Sequence, residues 1–210
     1  MIDKIIQIGL MPLFNHTDAN VVKSVIEACY QGGSPFFEYT NRGDYALSVF
    51  EEFIDDLSPD IQVGVGSVVD VETAQKYIDL GAKFIVMPYF NEAVVKHCLT
   101  QNIPCSPGCG TLTEMAKAYD LGCELVKLFP GSVYGSGFIK NVKAPCPWIN
   151  IMPTGGVAPT RENLSDWMLA GASCVGMGSK LIKKEWITNK EYDKITEAVR
   201  YSLKIIQEFK

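Results

Sequence analysis

The sequence predicts an α/β fold, namely one (β/α)8 TIM barrel that spans residues 1–210 as a single domain. Two observations support this prediction. Eight short apolar runs alternate with amphipathic stretches from end to end, and the length suits one domain. The runs are apolar at both odd and even positions, which is typical of strands buried on both faces of a sheet. A doubly wound sheet is the alternative, but it gives no special reason for eight repeats.

Each apolar run is predicted to form one parallel strand. In chain order the runs cover residues 8–14, 35–40, 61–66, 83–88, 103–108, 124–130, 149–155 and 173–178. Helix start signals lie between them, because Asp, Asn and Thr side chains cap helix N-termini. These caps are predicted at Asp18, Asp70, Asn91 and Thr160, with a capping box formed by Thr111 and Glu114. The first residues, DKIIQI, are predicted to form a short helix that closes the bottom of the barrel.

Composition and charge exclude several classes of protein. The formal net charge of -5 argues against a nucleic-acid or anionic-membrane binder, since both need basic surfaces. No apolar stretch is long enough to span a bilayer, and no signal-peptide pattern opens the chain. Seven cysteines without a Cys-x-x-Cys pair predict a reduced, cytoplasmic protein with no disulfide and no metal. Of the two histidines, His16 is predicted to be a surface residue and His97 a partly buried helix residue.

Polar groups cluster at the predicted C-terminal ends of the strands, where the active site of this fold lies. They provide an acid, a hydroxyl, an amine and bare backbone at one face of the molecule. The residues at these predicted strand ends are Glu38, Ser67, Pro88, Gly108, Lys127, Thr154, Gly155, Gly156, Gly178 and Ser179.

Lys127 lies inside the apolar run ELVKLFPG and shares its parity with Leu125 and Phe129, so it points where they point. Burial disfavours the ammonium form and frees the amine to attack a carbonyl. The alternative is a lysine that reaches water at the barrel mouth. Glu38 is either a general base or the salt-bridge partner of this lysine. Arg42 is either an anion clamp or a solvated loop residue.

Two glycine-rich stretches, PTGGV at 153–157 and GMGSK at 176–180, follow the last two strands. Loops at these positions, with a short extra helix, form a phosphate site in many barrels of this type. Bare glycine amides allow the backbone to approach an anion closely. The alternative is that the glycines serve only tight turns.

Taken together, these residues resemble the family of 2-keto-3-deoxy-6-phosphogluconate (KDPG) and 4-hydroxy-2-oxoglutarate (KHG) aldolases. The resemblance covers nearly the whole chain, from Leu10-Met-Pro-Leu to Glu191-Tyr-Asp-Lys-Ile-Thr-Glu-Ala. The motifs that carry it are Glu38-x-Thr40-x-Arg42, Gly64-x-Gly66-Ser67-Val68, Pro107-Gly108, Lys127-Leu-Phe129-Pro130 and Pro153-Thr154-Gly155-Gly156.

The resemblance implies a class I aldolase, a lyase that cleaves KDPG to pyruvate and glyceraldehyde 3-phosphate through a Schiff base. KHG, which would give pyruvate and glyoxylate, is a candidate second substrate. The family forms homotrimers and needs neither metal nor cofactor. Carried over residue by residue, Lys127 forms the imine and Glu38 is the acid/base, acting through a water. Arg42 and Ser67 hold the pyruvyl carboxylate, Pro88 and Phe129 line the substrate, Thr154 contacts the aldehyde half, and Gly155, Gly156, Gly178 and Ser179 bind the phosphate.

Four departures from the family pattern leave the choice of aldehyde open. Ser67 stands where threonine is usual, Tyr89 and Phe90 follow Pro88 where a glycine is common, and Lys180 stands where an apolar residue is frequent. The loop after Pro159 is two residues longer than the family pattern. Three alternatives to a KDPG aldolase remain open. The first is a 2-keto-3-deoxy-6-phosphogalactonate aldolase. The second is a phosphosugar epimerase or isomerase, which would not need a buried lysine after the sixth strand, and the third is a non-catalytic metabolite-binding protein.

Overall fold

The computed structural model describes residues 1–210, and its strands form a curled parallel sheet of six strands beside a smaller parallel sheet of three. The strand order is β5-β4-β3-β2-β1-β9 in the first sheet and β6-β7-β8 in the second. The strands are β1 (Leu10–Phe14), β2 (Phe36–Thr40), β3 (Gln62–Gly66), β4 (Ile85–Val86), β5 (Cys105–Ser106), β6 (Gly108–Cys109), β7 (Val126–Leu128), β8 (Ile151–Pro153) and β9 (Val175–Met177). The prediction of an α/β fold with parallel strands is confirmed.

Every predicted apolar run contains a strand, but the fifth run is divided into β5 and β6 at Pro107. Proline has no amide hydrogen to donate to a neighbouring strand. The carbonyl of Ser106 accepts from Met87 on one side, and the carbonyl of Pro107 accepts from Lys127 on the other. The chain therefore passes from the first sheet to the second at this proline, and the structure has nine short strands where the sequence predicts eight.

Ten α-helices accompany the strands: one precedes β1, seven lie between strands and two follow β9. They are α1 (Ile2–Ile8), α2 (Ala19–Gln31), α3 (Ala46–Phe53), α4 (Val71–Asp79), α5 (Glu92–Thr100), α6 (Leu112–Asp120), α7 (Gly131–Lys143), α8 (Arg161–Leu169), α9 (Lys184–Thr188) and α10 (Tyr192–Gln207), with a 3-10 turn at Ile54–Asp56. All four predicted N-caps accept a backbone hydrogen bond, and the capping box is present. None of the helices combines the length and apolarity that a bilayer crossing requires.

The apolar core has two parts. A cluster of 49 buried residues lies between the strands and the surrounding helices. A second cluster of 9 residues joins Ile2 and Ile5 of α1 to side chains at or near the starts of six strands. Those partners are Met11, Phe36, Phe84, Val86, Leu125, Met152 and Cys174. The N-terminal helix therefore closes the end of the curled sheet that is opposite the polar strand ends, as predicted.

The two histidines differ in how well the sequence predicts them. His97 is partly buried on α5, with its Nε2 2.8 Å from Gln75 Oε1, as predicted. His16 is also partly buried, so its prediction as a surface residue is wrong. Its ring stacks on Phe14 at a centroid distance of 6.1 Å, and its Nδ1 accepts from the Asp18 amide at 3.1 Å.

Candidate active site

A buried lysine and a buried glutamate meet inside the curled sheet. Lys127 Nζ lies 3.3 Å from Glu38 Oε1, and the residues are 5% and 1% exposed. Lys127 is on β7 and Glu38 on β2, which belong to different sheets, so the pair spans the interior. Lys127 Nζ also lies 5.4 Å from the centre of the Phe129 ring. The alternative of a lysine reaching water is therefore excluded by the structure.

Part of the Glu38 carboxylate has no partner in the protein. Oε1 contacts Lys127, but Oε2 is buried without a hydrogen bond. Gly66 faces the carboxylate so closely that a Cβ atom there would overlap Oε1. A buried polar atom without a partner is unusual in a folded protein, and Oε2 is therefore available to a water or ligand atom. The glycine at position 66 thus provides the space that the Glu38 carboxylate occupies.

Thr154 provides a second buried polar atom without a partner. The residue is 4% exposed, and its Oγ1 makes no hydrogen bond. Thr154 forms an isolated parallel bridge with Gly176, where a Cβ atom would overlap the threonine hydroxyl. An amine, a carboxylate oxygen and a hydroxyl are therefore held inside the sheet on rigid strands, all with spare hydrogen-bonding capacity.

A cavity of about 500 Å³ opens at the C-terminal ends of the strands. Seven of the predicted site residues line it: Arg42, Phe129, Thr154, Gly155, Gly156, Gly178 and Ser179. Thr40 also lines it. Thr40 lies two residues after Glu38, and Phe129 lies two residues after Lys127, so each shares a side of its strand with that residue. The Lys127–Glu38 pair is thus one layer below the cavity wall.

Two predicted substrate-binding residues do not line this cavity. Ser67 is partly buried directly after Gly66, with a left-handed φ of 62°. Pro88 packs against Gly108, where a Cβ atom would overlap the proline carbonyl group. Both residues follow strands on the β3–β4 side of the sheet, whereas the cavity extends toward β9.

The glycine loops present free backbone amides. The N–H groups of Gly155, Gly156, Gly178 and Ser179 donate to no acceptor in the protein. Gly155 and Gly156 have φ of 87° and 79°, so a tight turn alone explains why these two are glycines. It does not explain four unpaired amides beside one cavity, which are suited to an anion.

The charges on the cavity wall are all positive. Arg42, Lys180 and Lys184 line the cavity, and no Asp or Glu does. None of the three forms an ion pair with a carboxylate. A positive cavity in a chain whose net charge is -5 indicates that the ligand is an anion.

Several lining residues were not identified from the sequence. Asn15 and His16 follow β1, so the rule that strand ends carry the site would have found them there. Lys184, Ile187 and Thr188 belong to α9, the short helix after the last strand. Only the general expectation of a short extra helix pointed to this wall, and no local motif marked its residues.

Comparison with known proteins identifies the family of this chain. Residues 1–198 match the family model described as "Aldolase: KDPG and KHG aldolase". The 2-dehydro-3-deoxy-phosphogluconate aldolase of Treponema pallidum is 31% identical over 70% of each chain. The 2-dehydro-3-deoxy-6-phosphogalactonate aldolase of Escherichia coli K12 is 34% identical over 58% of each chain. A KDPG aldolase from Legionella pneumophila, solved with pyruvate captured as a covalent carbinolamine, superposes with a TM-score of 0.83 at 25% identity, covering 91% of this chain and 92% of that one.

Proposed function

Because this chain belongs to the KDPG and KHG aldolase family, we propose that it is a class I aldolase that cleaves KDPG to pyruvate and glyceraldehyde 3-phosphate. The observation that carries the proposal is the Lys127–Glu38 pair, 3.3 Å apart and buried below a cavity with a positive wall. An amine, a carboxylate and an anion site are the groups that a Schiff-base cleavage of a phosphorylated keto acid needs.

The reaction begins at Lys127. Glu38 accepts a proton from the ammonium group, and the neutral amine attacks the C2 carbonyl of the substrate. Loss of water from the resulting carbinolamine gives an iminium ion. This cation withdraws electrons from C3, so the C3–C4 bond can break without a metal ion.

Bond cleavage requires removal of the proton on the C4 hydroxyl. Glu38, acting through a water, is the acid/base for this step, and its unpaired Oε2 is available for that water. Glyceraldehyde 3-phosphate leaves, and pyruvate remains on Lys127 as an enamine. Protonation at C3 and hydrolysis of the imine release pyruvate and restore the amine.

The remaining site residues bind the two ends of the substrate. Arg42 and Ser67 hold the carboxylate, Pro88 and Phe129 line the carbon chain, and the Thr154 hydroxyl contacts the aldehyde half. The free amides of the glycine loops bind the phosphate, namely those of Gly155, Gly156, Gly178 and Ser179. The unpaired Oγ1 of Thr154 and the positive cavity wall support these assignments.

We also propose that the two sheets belong to one eight-stranded barrel and that residues 1–210 are one domain. Pro107 alone separates β5 from β6, so together they count as one strand of the barrel. The Thr154–Gly176 bridge and the hydrogen bond from Ser173 N–H to the Ile151 carbonyl support contact between β8 and β9.

We further propose that the protein is a cytoplasmic homotrimer. Large apolar side chains at the surface support an assembly, with Val133 75%, Leu169 74% and Trp148 55% exposed. All seven cysteines are free thiols, which supports a reducing compartment. Light scattering of the purified protein tests the trimer, because a monomer mass would contradict it.

The galactonate analogue of KDPG is the second candidate substrate, and the similarity to the Escherichia coli phosphogalactonate aldolase favours it. The two substrates differ in configuration at C4, so the Thr154 side of the cavity decides between them. An epimerase or isomerase has no use for the buried Lys127–Glu38 pair.

A pyruvate-coupled assay with KDPG, its galactonate analogue and KHG tests the proposed function. We expect turnover of at least one phosphorylated substrate, and fixation of pyruvate on Lys127 by borohydride. Mass spectrometry of the peptides locates the adduct. The absence of both pyruvate release and a Lys127 adduct would contradict an aldolase and leave a metabolite-binding protein.

A further inference from the structure

We propose that Asn15 is a positioning residue that holds the Arg42 segment at the cavity, so that the guanidinium can bind the substrate carboxylate. This inference rests on the proposed function, since it assumes that Arg42 binds that carboxylate. Asn15 lies directly after β1 and lines the cavity together with Arg42.

One amide group makes both contacts. Asn15 Nδ2 donates to the Arg42 carbonyl at 3.0 Å and to the Tyr45 hydroxyl at 2.9 Å. A backbone carbonyl can only accept, so the amide nitrogen must face Arg42, and each of its two hydrogens serves one acceptor. The bonds span 27 and 30 residues of sequence, so Asn15 joins the end of β1 to the segment after β2.

Backbone hydrogen bonds hold the chain on both sides of the Arg42 carbonyl but leave that carbonyl itself unpaired. The Asn41 amide donates to the Gly66 carbonyl at 2.8 Å, and the Asn41 side chain accepts from the Tyr77 hydroxyl at 2.8 Å. Burial raises the pKa of Tyr77 to about 12, so it remains a neutral donor. The Arg42 amide donates to the Thr40 carbonyl at 2.9 Å, and the Gly43 and Tyr45 carbonyls accept from Ala46 and Val49 at 3.1 and 3.0 Å. These backbone bonds leave two groups of the turn unpaired, the Arg42 carbonyl and the Tyr45 hydroxyl.

Asn15 holds both of these groups. The Arg42 carbonyl and the Tyr45 hydroxyl have no hydrogen-bond partner other than Asn15. Gly43 has a φ of 88° and packs on the Tyr45 ring, where a Cβ atom would lie 2.6 Å from Cε1. The turn and the ring therefore move together, and one asparagine anchors both ends of the turn.

Arg42 needs this anchor because its own side chain is free. The residue is exposed, and its guanidinium forms no ion pair with a carboxylate. A flexible arginine loses rotamer freedom when it binds, and a fixed backbone limits how much more must be lost. Removal of the anchor should thus weaken carboxylate binding while leaving the Lys127 chemistry intact.

The test is a double-mutant cycle on pyruvate binding, read as the pyruvate concentration that gives half-maximal borohydride fixation. We expect Asn15→Ala to raise that concentration about tenfold, the loss of about one net hydrogen bond. The maximal fixation rate should stay within about threefold, because Lys127 is unchanged. In an Arg42→Ala background, Asn15→Ala should add less than about twofold, since the group that it positions is gone. Tyr45→Phe, which keeps the Arg42 bond, should have a smaller effect of about threefold.

Asn150→Ala is the matched control. Asn150 also makes two side-chain hydrogen bonds, to the Glu124 carbonyl at 3.0 Å and with Ser173 Oγ at 3.1 Å, but it precedes β8 at the opposite end of the sheet. We expect both Asn150→Ala and Asn15→Ala to lower the melting temperature, because each removes two hydrogen bonds, and only Asn15→Ala to change half-saturation. Full additivity of Asn15→Ala and Arg42→Ala would overturn the inference, as would a lower maximal rate with unchanged half-saturation. If the parent protein fixes no pyruvate, the proposed function fails as well, whereas fixation without Asn15–Arg42 coupling overturns the inference alone.

Discussion

The base and the rim of the site are built in opposite ways. The base, Lys127, Glu38 and Thr154, comes from strands and is at most 5% exposed. The rim comes from loops and a short helix, and its charged members, Arg42, Lys180 and Lys184, are exposed. A charge pair in a buried environment interacts strongly and is hardly screened by salt, whereas exposed charges are screened within about 10 Å at 0.1 M salt. The base should therefore control the chemistry, and the rim should control which anion is bound.

The largest effect should come from removing the amine at the base. Lys127→Ala should abolish turnover and borohydride fixation, because no other group can form the imine. Lys127→Met, which keeps most of the side-chain volume, should do the same, and this separates lost chemistry from a cavity left in the core. The measurement is pyruvate release together with circular dichroism of both variants.

Lys143→Ala is the control for the Lys127 variants. Lys143 is also partly buried, and burial lowers its pKa, but it lies at the end of α7, where its Nζ donates to the Pro147 carbonyl at 3.1 Å. Turnover in this variant should match the parent protein. An adduct on any lysine other than Lys127 would contradict the assignment of the base.

The second prediction concerns the other half of the buried pair. Glu38→Gln should lower kcat by about 10²–10⁴-fold, the usual contribution of a general acid/base. Some borohydride fixation should persist, since the amide keeps the shape of the carboxylate and Lys127 is still present. A kcat within about threefold of the parent value would mean that Glu38 is only the ion-pair partner of Lys127.

The contrast between the base and the rim also decides which parts of the site the sequence could predict. Strand parity predicts that Lys127 points where Leu125 and Phe129 point, and the structure buries it, although the sequence alone left a lysine that reaches water as the alternative. Glu38 was predicted only from its position at a strand end. The rim depends on loop conformation, which no periodicity encodes. Asn15 was missed although it directly follows β1, and α9 was missed because its residues carry no motif. The division of the fifth strand at Pro107 follows from a known property of proline, but only the structure shows which carbonyl faces which sheet.

The third prediction concerns phosphate binding by the glycine loops of the rim. A substrate without phosphate should have a kcat/KM at least about 10²-fold lower than its phosphorylated counterpart, because two or three charge-assisted hydrogen bonds are lost. Gly178→Asp should remove this preference by placing a carboxylate beside the anion. Gly178 suits the experiment because its φ is not in the left-handed region and the nearest atom to a Cβ there would be Leu13 Cδ1, at 3.0 Å. KHG is the phosphate-free comparison, and its turnover should change little in the variant. Equal efficiency on both substrates in the parent protein would contradict the phosphate site.

The smallest effects should come from the exposed lysines. Lys180 and Lys184 line the cavity but pair with no carboxylate, so each is free to contact the phosphate through a screened interaction. Lys180→Ala or Lys184→Ala should raise KM for the phosphorylated substrate by about two- to fivefold at low salt, the range measured for exposed ion pairs. At about 1 M salt the Debye length is about 3 Å, so the difference in KM from the parent protein should nearly vanish.

Lys140→Ala, which removes the same charge from an exposed site on α7, is the control and should leave KM unchanged at both salt concentrations. The base offers the opposite expectation, because the loss of kcat in Glu38→Gln should be the same at low and high salt. A salt-independent rise of KM in the lysine variants would mean that these side chains shape the cavity wall by packing rather than attract the anion by charge.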